Sequence, residues 1–154
     1  MRMVKVQEAD FDVGALTREL SAGRTDIGAV ATFVGLVRGA SDGVEEMTLE
    51  HYPGMTEKSL LEIVEQAEGR WNLMSAIVIH RVGALQPGEQ IVYVGVATGH
   101  RGEAFAACEF IMDYLKTRAP FWKKEKTAEG ARWVDARDAD DSAAERWHDV
   151  ESRR

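Results

Sequence analysis

Cysteine is nearly absent from this chain of 154 residues. Cys108 stands alone, so no intramolecular disulfide can form, and a reducing compartment is the natural setting. Metal-ligand spacing is missing as well. His51, His80, His100 and His148 are dispersed, and neither CxxC nor HExxH occurs, which leaves no sequence signal for a metal. No GxGxxG follows a candidate strand and no P-loop is present, so no bound cofactor is signalled. No apolar run approaches the ~20 residues of a membrane span. The opening residues, MRMVKVQEADF, lack the apolar core of a signal peptide. The expectation is a cytoplasmic protein.

A surplus of positive charge is also missing. Asp and Glu number 26 against 19 Lys and Arg, a net charge of −7. Nucleic acid and anionic membranes attract a broad basic field, so nonspecific binding to either is disfavoured, while a local basic pocket remains allowed. With 45% hydrophobic and 29% charged residues the composition is that of an ordinary globular protein. One domain is expected over residues 1–154, its last part, 135–154, an acidic tail.

Against this background the stretch Ile111 to Lys126, IMDYLKTRAPFWKKEK, is unusual. A helical apolar pattern runs straight into Lys116, Arg118, Lys123, Lys124 and Lys126, with Glu125 as the local counter-charge. Phe105, Cys108, Met112 and Leu115 recur at helical spacing, widened by Ala104, Ala107 and Ile111, which predicts a helix from about Glu103 to Arg118. Pro120 ends it, because the residue before proline is pushed out of the α region. Phe121 to Lys126 then reads as extended, with Lys124 and Lys126 on the face opposite Phe121, Lys123 and Glu125. Lys116 and Lys123 would converge across the turn. A solvated lysine-rich turn and an anion site both account for such a run. Cysteine 108, within the helical stripe, reads as a packed thiol.

Elsewhere the patterns are those of scaffold. Val4 and Val6 mark a short strand, and Asp12 caps a helix carrying Leu16 and Leu20 that ends near Gly23. Gly28 to Arg38 reads as a strand with Gly35 at a bulge or close approach. A loop over Gly39 to Glu46 follows, then a strand over Met47 to Tyr52. Thr56 is expected to cap a helix bearing Leu60, Ile63, Val64, Ala67 and Trp71. Ala76 to Val82 and Gln90 to Thr98 are near-continuous apolar runs, so both should be buried strands, the second central and covered on both faces. His100 and Arg101 fall between that strand and the next helix, where free backbone N–H groups favour an anion. Arg132 to Val134 is expected to pair with Phe121 to Glu125 through a turn at Glu129-Gly130. A short helix is expected around Ser142 to Trp147, before a frayed end. Strands mixed irregularly with three main helices favour an α+β fold with a mixed sheet.

Three pieces, GAVATFVGLVR, LEHYPGMTEKSL, and the span from VGVATGHRGEAF through IMDYLKTRAPFWKKE, together resemble the large, catalytic subunit of molybdopterin synthase, over about Gly28 to Arg137. The resemblance implies an α/β-hammerhead type fold and a homodimer that becomes a heterotetramer with its partner. That partner is a small ubiquitin-like sulfur carrier ending in a Gly-Gly thiocarboxylate. The implied reaction delivers two sulfurs in succession to cyclic pyranopterin monophosphate, forming the dithiolene of molybdopterin. The family pocket falls on Arg38, His100, Arg101, Lys116, Lys123 and Glu125, with Lys124 beside them. The substrate phosphate is expected on Arg38, His100 and Arg101, and the reacting end on Lys116 and Lys123. Both ligands are anions, which guanidinium forks and mobile ammonium groups suit. Leu36 departs from a pattern that often carries a basic residue there, and Arg137 is a candidate for reaching a neighbouring protomer's pocket.

Two other classes fit parts of the pattern. A noncatalytic docking module would use the cations for affinity alone, and an RNA-binding protein would stack bases on Phe121 and Trp122.

Overall fold

A computed structural model describes residues 1–39, 43, 45–128, 130–134, 144, 145 and 147, with the backbone alone for Arg132 and Val134. In chain order the elements are β1 (Arg2–Gln7), α1 (Val13–Ser21), β2 (Ala29–Leu36), β3 (Glu46–His51), α2 (Met55–Arg70), β4 (Ser75–Arg81), β5 (Gly83–Leu85), β6 (Gln90–Thr98), α3 (Arg101–Arg118), β7 (Phe121–Thr127) and β8 (Gly130–Val134). Among the described residues the fold is α+β with three main helices, as expected. The strands divide between two four-stranded sheets, ordered β1-β4-β6-β2 and β5-β3-β7-β8. The first is mixed, β1 lying parallel to β4, and every pairing in the second is antiparallel.

The two apolar runs make the interior strands of the first sheet. Every residue of β4 is buried, and so is β6 from Val92 on. Alternation sends Val78, Val92, Val94 and Val96 to one face, where Leu60, Ile63 and Val64 of α2 and Phe110, Ile111 and Leu115 of α3 cover them. Ile77, Ile79, Tyr93 and Ala97 face the other way, onto Leu20 of α1. Burying both faces is what permits uninterrupted apolar strands.

Local chemistry sets the ends. Asp12 caps α1, its carboxylate accepting from the Ala15 N–H at 3.0 Å. The second helix differs from expectation. Gly54, not Thr56, is the N-cap, with Glu57 accepting from the Gly54 N–H at 2.7 Å. Thr56 is instead fully buried inside the first turn. The apolar stripe of α3 is also rotated from the expected one: Phe105 is 66% exposed, while Phe110 and Tyr114 are buried. Aromatic residues on both sides of α3 made the stripe ambiguous, and Phe110 is drawn inward by Trp71, Trp147 and Tyr114, which pack edge-on against it. The short strand β5, pairing Leu85 with Met47, was not anticipated because three residues carry no readable period.

Two glycines fix where the candidate residues emerge. A Cβ on Gly28 would collide with the Gly99 carbonyl, and one on Gly35 would meet Val92 Cγ1 at 2.6 Å. The first lets the start of β2 lie against the chain just before His100. The second sits at a register shift between Gly35 and Leu36, a bulge that redirects the chain toward Arg38. Near the C-terminus, Trp147 packs edge-on against Trp71 and Phe110, at 5.6 and 5.5 Å between centroids. Its indole N–H donates to Asp113 at 2.7 Å. The tail therefore returns to the helical layer at this point. Of the short helix expected around Ser142 to Trp147, Ala144, Glu145 and Trp147 are helical, while Ser142 itself, Glu129 of the expected turn, Ala40 to Asp42 of the loop, and Arg137 lie outside the described residues.

Candidate functional site

The last turn of α3 and the first residues of β7 meet around one buried ring. His80 of β4 is stacked on Phe121 of β7, with centroids 4.0 Å apart and planes at 26°. Its Nδ1 lies 2.8 Å from the Arg81 carbonyl oxygen. A carbonyl only accepts, so Nδ1 carries the ring proton and Nε2 of the neutral ring is an acceptor. Burial pushes the imidazole down to about 4, the Arg81 hydrogen bond opposes this, and the charges of Lys116 and His51 push it lower still. His80 is therefore neutral at neutral pH, with the Lys116 charge close enough to act on it.

From Phe121 the inward face of β7 continues through Lys123 to Glu125. Glu125 is 8% exposed, and its Oε1 lies 3.5 Å from Lys123 Nζ. A carboxylate this buried is no solvated surface partner; its loss would leave Lys123 without the counter-charge that orients it. Across the β3–β7 pairing, Leu49 lies opposite Lys123 and Met47 opposite Glu125. Met47 packs with Val37 and Leu85, which brings the end of the β2 segment, and with it exposed Arg38, to the same side of the molecule. Thr56 holds the α3–β7 turn: its hydroxyl donates to the Pro120 carbonyl at 3.0 Å and accepts from the Tyr52 N–H at 3.0 Å.

Lys124 stands on the opposite face of β7, its Nζ 5.7 Å from the centre of the Trp133 ring. Arg118 lies over Tyr114 at 3.9 Å and donates to Gln66, so it is engaged with the helical layer. Phe121 and Trp122 do not form one platform, because Phe121 is turned inward onto His80 and Trp122 is exposed. That removes the stacking pair an RNA-binding reading needs.

His100 and Arg101 are elsewhere. They open α3, both exposed, and His100 makes no side-chain capping hydrogen bond. Arg101 and Lys116 begin and nearly end the same helix, which puts about 22 Å of axial rise between their backbones. The chain thus carries Lys116 at the α3–β7 end, next to the strand that holds Lys123 and Glu125, and leaves His100 and Arg101 at the other end of α3. Between the ends a cleft of about 710 Å³ runs along β2 and α3, lined by Val30, Phe33, Phe105, Cys108 and Met112. Burial pushes the Cys108 thiol up to about 11, with Glu109 adding to the effect, so it is a poor nucleophile at neutral pH.

Sequence reasoning missed His80. The available signal was a polar ring inside AIVIHRV, since a histidine in an otherwise apolar buried strand must have a partner.

Fold and site together define an α+β protein of two sheets that carries a lysine-rich turn between α3 and β7. The chain belongs to the MoaE protein family, which matches residues 6–118. It is 66% identical over 149 residues to the molybdopterin synthase catalytic subunit of Ralstonia nicotianae, covering 96% of this chain and 85% of that one. Its structure resembles the molybdopterin biosynthesis MoaE protein from Burkholderia ambifaria, with a TM-score of 0.83, 54% identity, and coverage of 96% of this chain and 99% of that one. It also resembles the crystal structure of molybdopterin synthase from Staphylococcus aureus, with a TM-score of 0.78, 29% identity, and coverage of 84% and 95%.

Proposed function

We propose that this chain is the catalytic subunit of a molybdopterin synthase. It transfers two sulfurs, one after the other, from the C-terminal Gly-Gly thiocarboxylate of a small ubiquitin-like carrier to cyclic pyranopterin monophosphate, forming the molybdopterin dithiolene. What supports this reading is the ion pair of Lys123 with buried Glu125 on β7, beside a His80–Phe121 stack on which the Lys116 charge acts, in a member of this family. The carrier's thiocarboxylate supplies the sulfur nucleophile, water cleaves the acyl–sulfur bond that forms and leaves the carrier an ordinary carboxylate, and a second thiocarboxylated carrier brings the second sulfur. The chain's own work is electrostatic. Lys116 orients the thiocarboxylate and exchanges a proton with the pterin intermediate, Lys123 tunes Lys116 as a neighbouring cation, and Glu125 holds Lys123. The lone buried thiol fits a cytoplasmic setting. Among the described residues no helix is long and apolar enough to cross a membrane.

The active assembly is a homodimer with one carrier bound to each copy. Strand β2 is at the edge of its sheet, and Val30, Phe33 and Phe105 are exposed beside it, a surface that calls for a cover. A two-fold axis there sets two β2 strands antiparallel. His100 and Arg101 of one copy then approach Arg38, Lys116 and Lys123 of the other, so substrate phosphate and reacting end are gripped by different protomers.

The test is a single-turnover reaction of this chain with thiocarboxylated carrier and cyclic pyranopterin monophosphate, following dithiolene formation. Product that disappears in Lys116→Ala while carrier binding persists supports the reading. A tight complex that yields no product would mean a docking module.

A further inference from the structure

The lysines of the reacting end sit on two different elements, and the turn between them is short. Lys116 closes α3, and Lys123 follows Phe121 by two residues on the same face of β7, about 7 Å further along the strand. Their relative position therefore depends on how β7, in the second sheet, is seated against the first sheet. The ring contact at that junction is His80 on Phe121. His80 is itself fixed. It lies in a strand buried along its whole length, paired on both sides with Val6 and Val92, and its Nδ1–H is committed to the Arg81 carbonyl.

We propose that His80 is a positioning residue for sulfur transfer, seating β7 on β4 through the Phe121 ring so that Lys116 and Lys123 address the same anion. The inference rests on Lys116 and Lys123 forming the reacting end. A neutral imidazole suits this position because it adds no cation to compete with the lysines for the thiocarboxylate. Around it stand Lys116 from α3 and His51, the cross-strand neighbour of Phe121 in β3. An aliphatic residue here would fill volume without offering a flat face at stacking distance.

A double-mutant cycle tests the proposal. His80→Asn keeps an N–H donor for the Arg81 carbonyl but has no ring; Phe121→Leu removes the other half of the stack; His80→Phe restores a ring. Each variant is assayed as the full complex with carrier, at a temperature well below its measured melting point. His80→Asn and Phe121→Leu should each lower kcat by about tenfold with KM for the carrier within about twofold, since a misplaced catalytic group costs turnover rather than binding. The double variant should fall no further, and His80→Phe should recover most of the rate. Multiplying losses, a rise in KM alone, or normal kcat in His80→Asn overturns the proposal while leaving the synthase reading intact. Lys116→Ala assayed alongside reports on that reading separately: turnover surviving there overturns both.

Discussion

Arg38 and His100 lie at opposite ends of one strand pairing. Ala29 pairs with Thr98 and Leu36 with Gln90, so Arg38 follows one end of the β2–β6 ladder and His100 the other, about 25 Å away. Both are exposed, and no movement of side chains alone brings them onto one small phosphate. The proposed homodimer accounts for the separation with a site shared between two copies.

Complementation between inactive variants follows from that geometry. Arg101→Ala and Lys116→Ala should each abolish turnover. Unfolding and refolding an equal mixture should restore about a quarter of wild-type activity, because half the dimers are mixed and each carries one intact site. Activity is read in the single-turnover assay, with dimer exchange confirmed by mass. A mixture as inactive as its components would place each site within one protomer.

Glu125→Gln removes the charge beside Lys123 with little change of shape. Turnover should fall by roughly 10²-fold, the scale of losing a group that supports proton transfer, while the melting temperature moves little. Carrier affinity by calorimetry should stay near wild type, separating a catalytic effect from a docking one.

Acid sensitivity should trace to His80. Its folded value of about 4 lies below the ordinary 6.5 of the unfolded chain. The unfolded state therefore binds the extra proton first, and stability present above pH 6.5 declines as pH falls toward 4. The full effect is about 3 kcal/mol. Urea titrations from pH 7 to pH 4 should show this slope in the wild type and a flatter one in His80→Phe.

Thr56→Val should destabilise the turn that carries the lysines. The hydroxyl serves both the Tyr52 N–H and the Pro120 carbonyl at a fully buried position, and valine leaves both unmet. The expected cost is about 2 kcal/mol, read as a lower denaturation midpoint with unchanged m-value.

Cys108 should be chemically quiet. With its thiol raised to about 11 by burial, labelling by an aromatic disulfide at pH 7.5 should be slow in the native protein and complete on unfolding. Cys108→Ser should retain sulfur transfer, as expected if the transferred sulfur comes from the carrier.

Much of this protein is determined by its sequence alone. The apolar runs of β4 and β6, the Asp12 cap, the stop at Pro120 and the alternation from Phe121 to Lys126 are local signals, set by backbone sterics and side-chain period. The candidate cations were legible for the same reason, since a block of lysines stands out in an acidic chain. Tertiary structure decided what local pattern cannot encode. It turned α3 so that Phe110 and Tyr114, rather than Phe105, entered the core. It also made Thr56 a buried bridge and set His80 beneath the lysine turn. Above all it stacked Phe121 of β7 on His80 of β4, because a contact between strands of two different sheets depends on how the whole chain packs and leaves no local period to read.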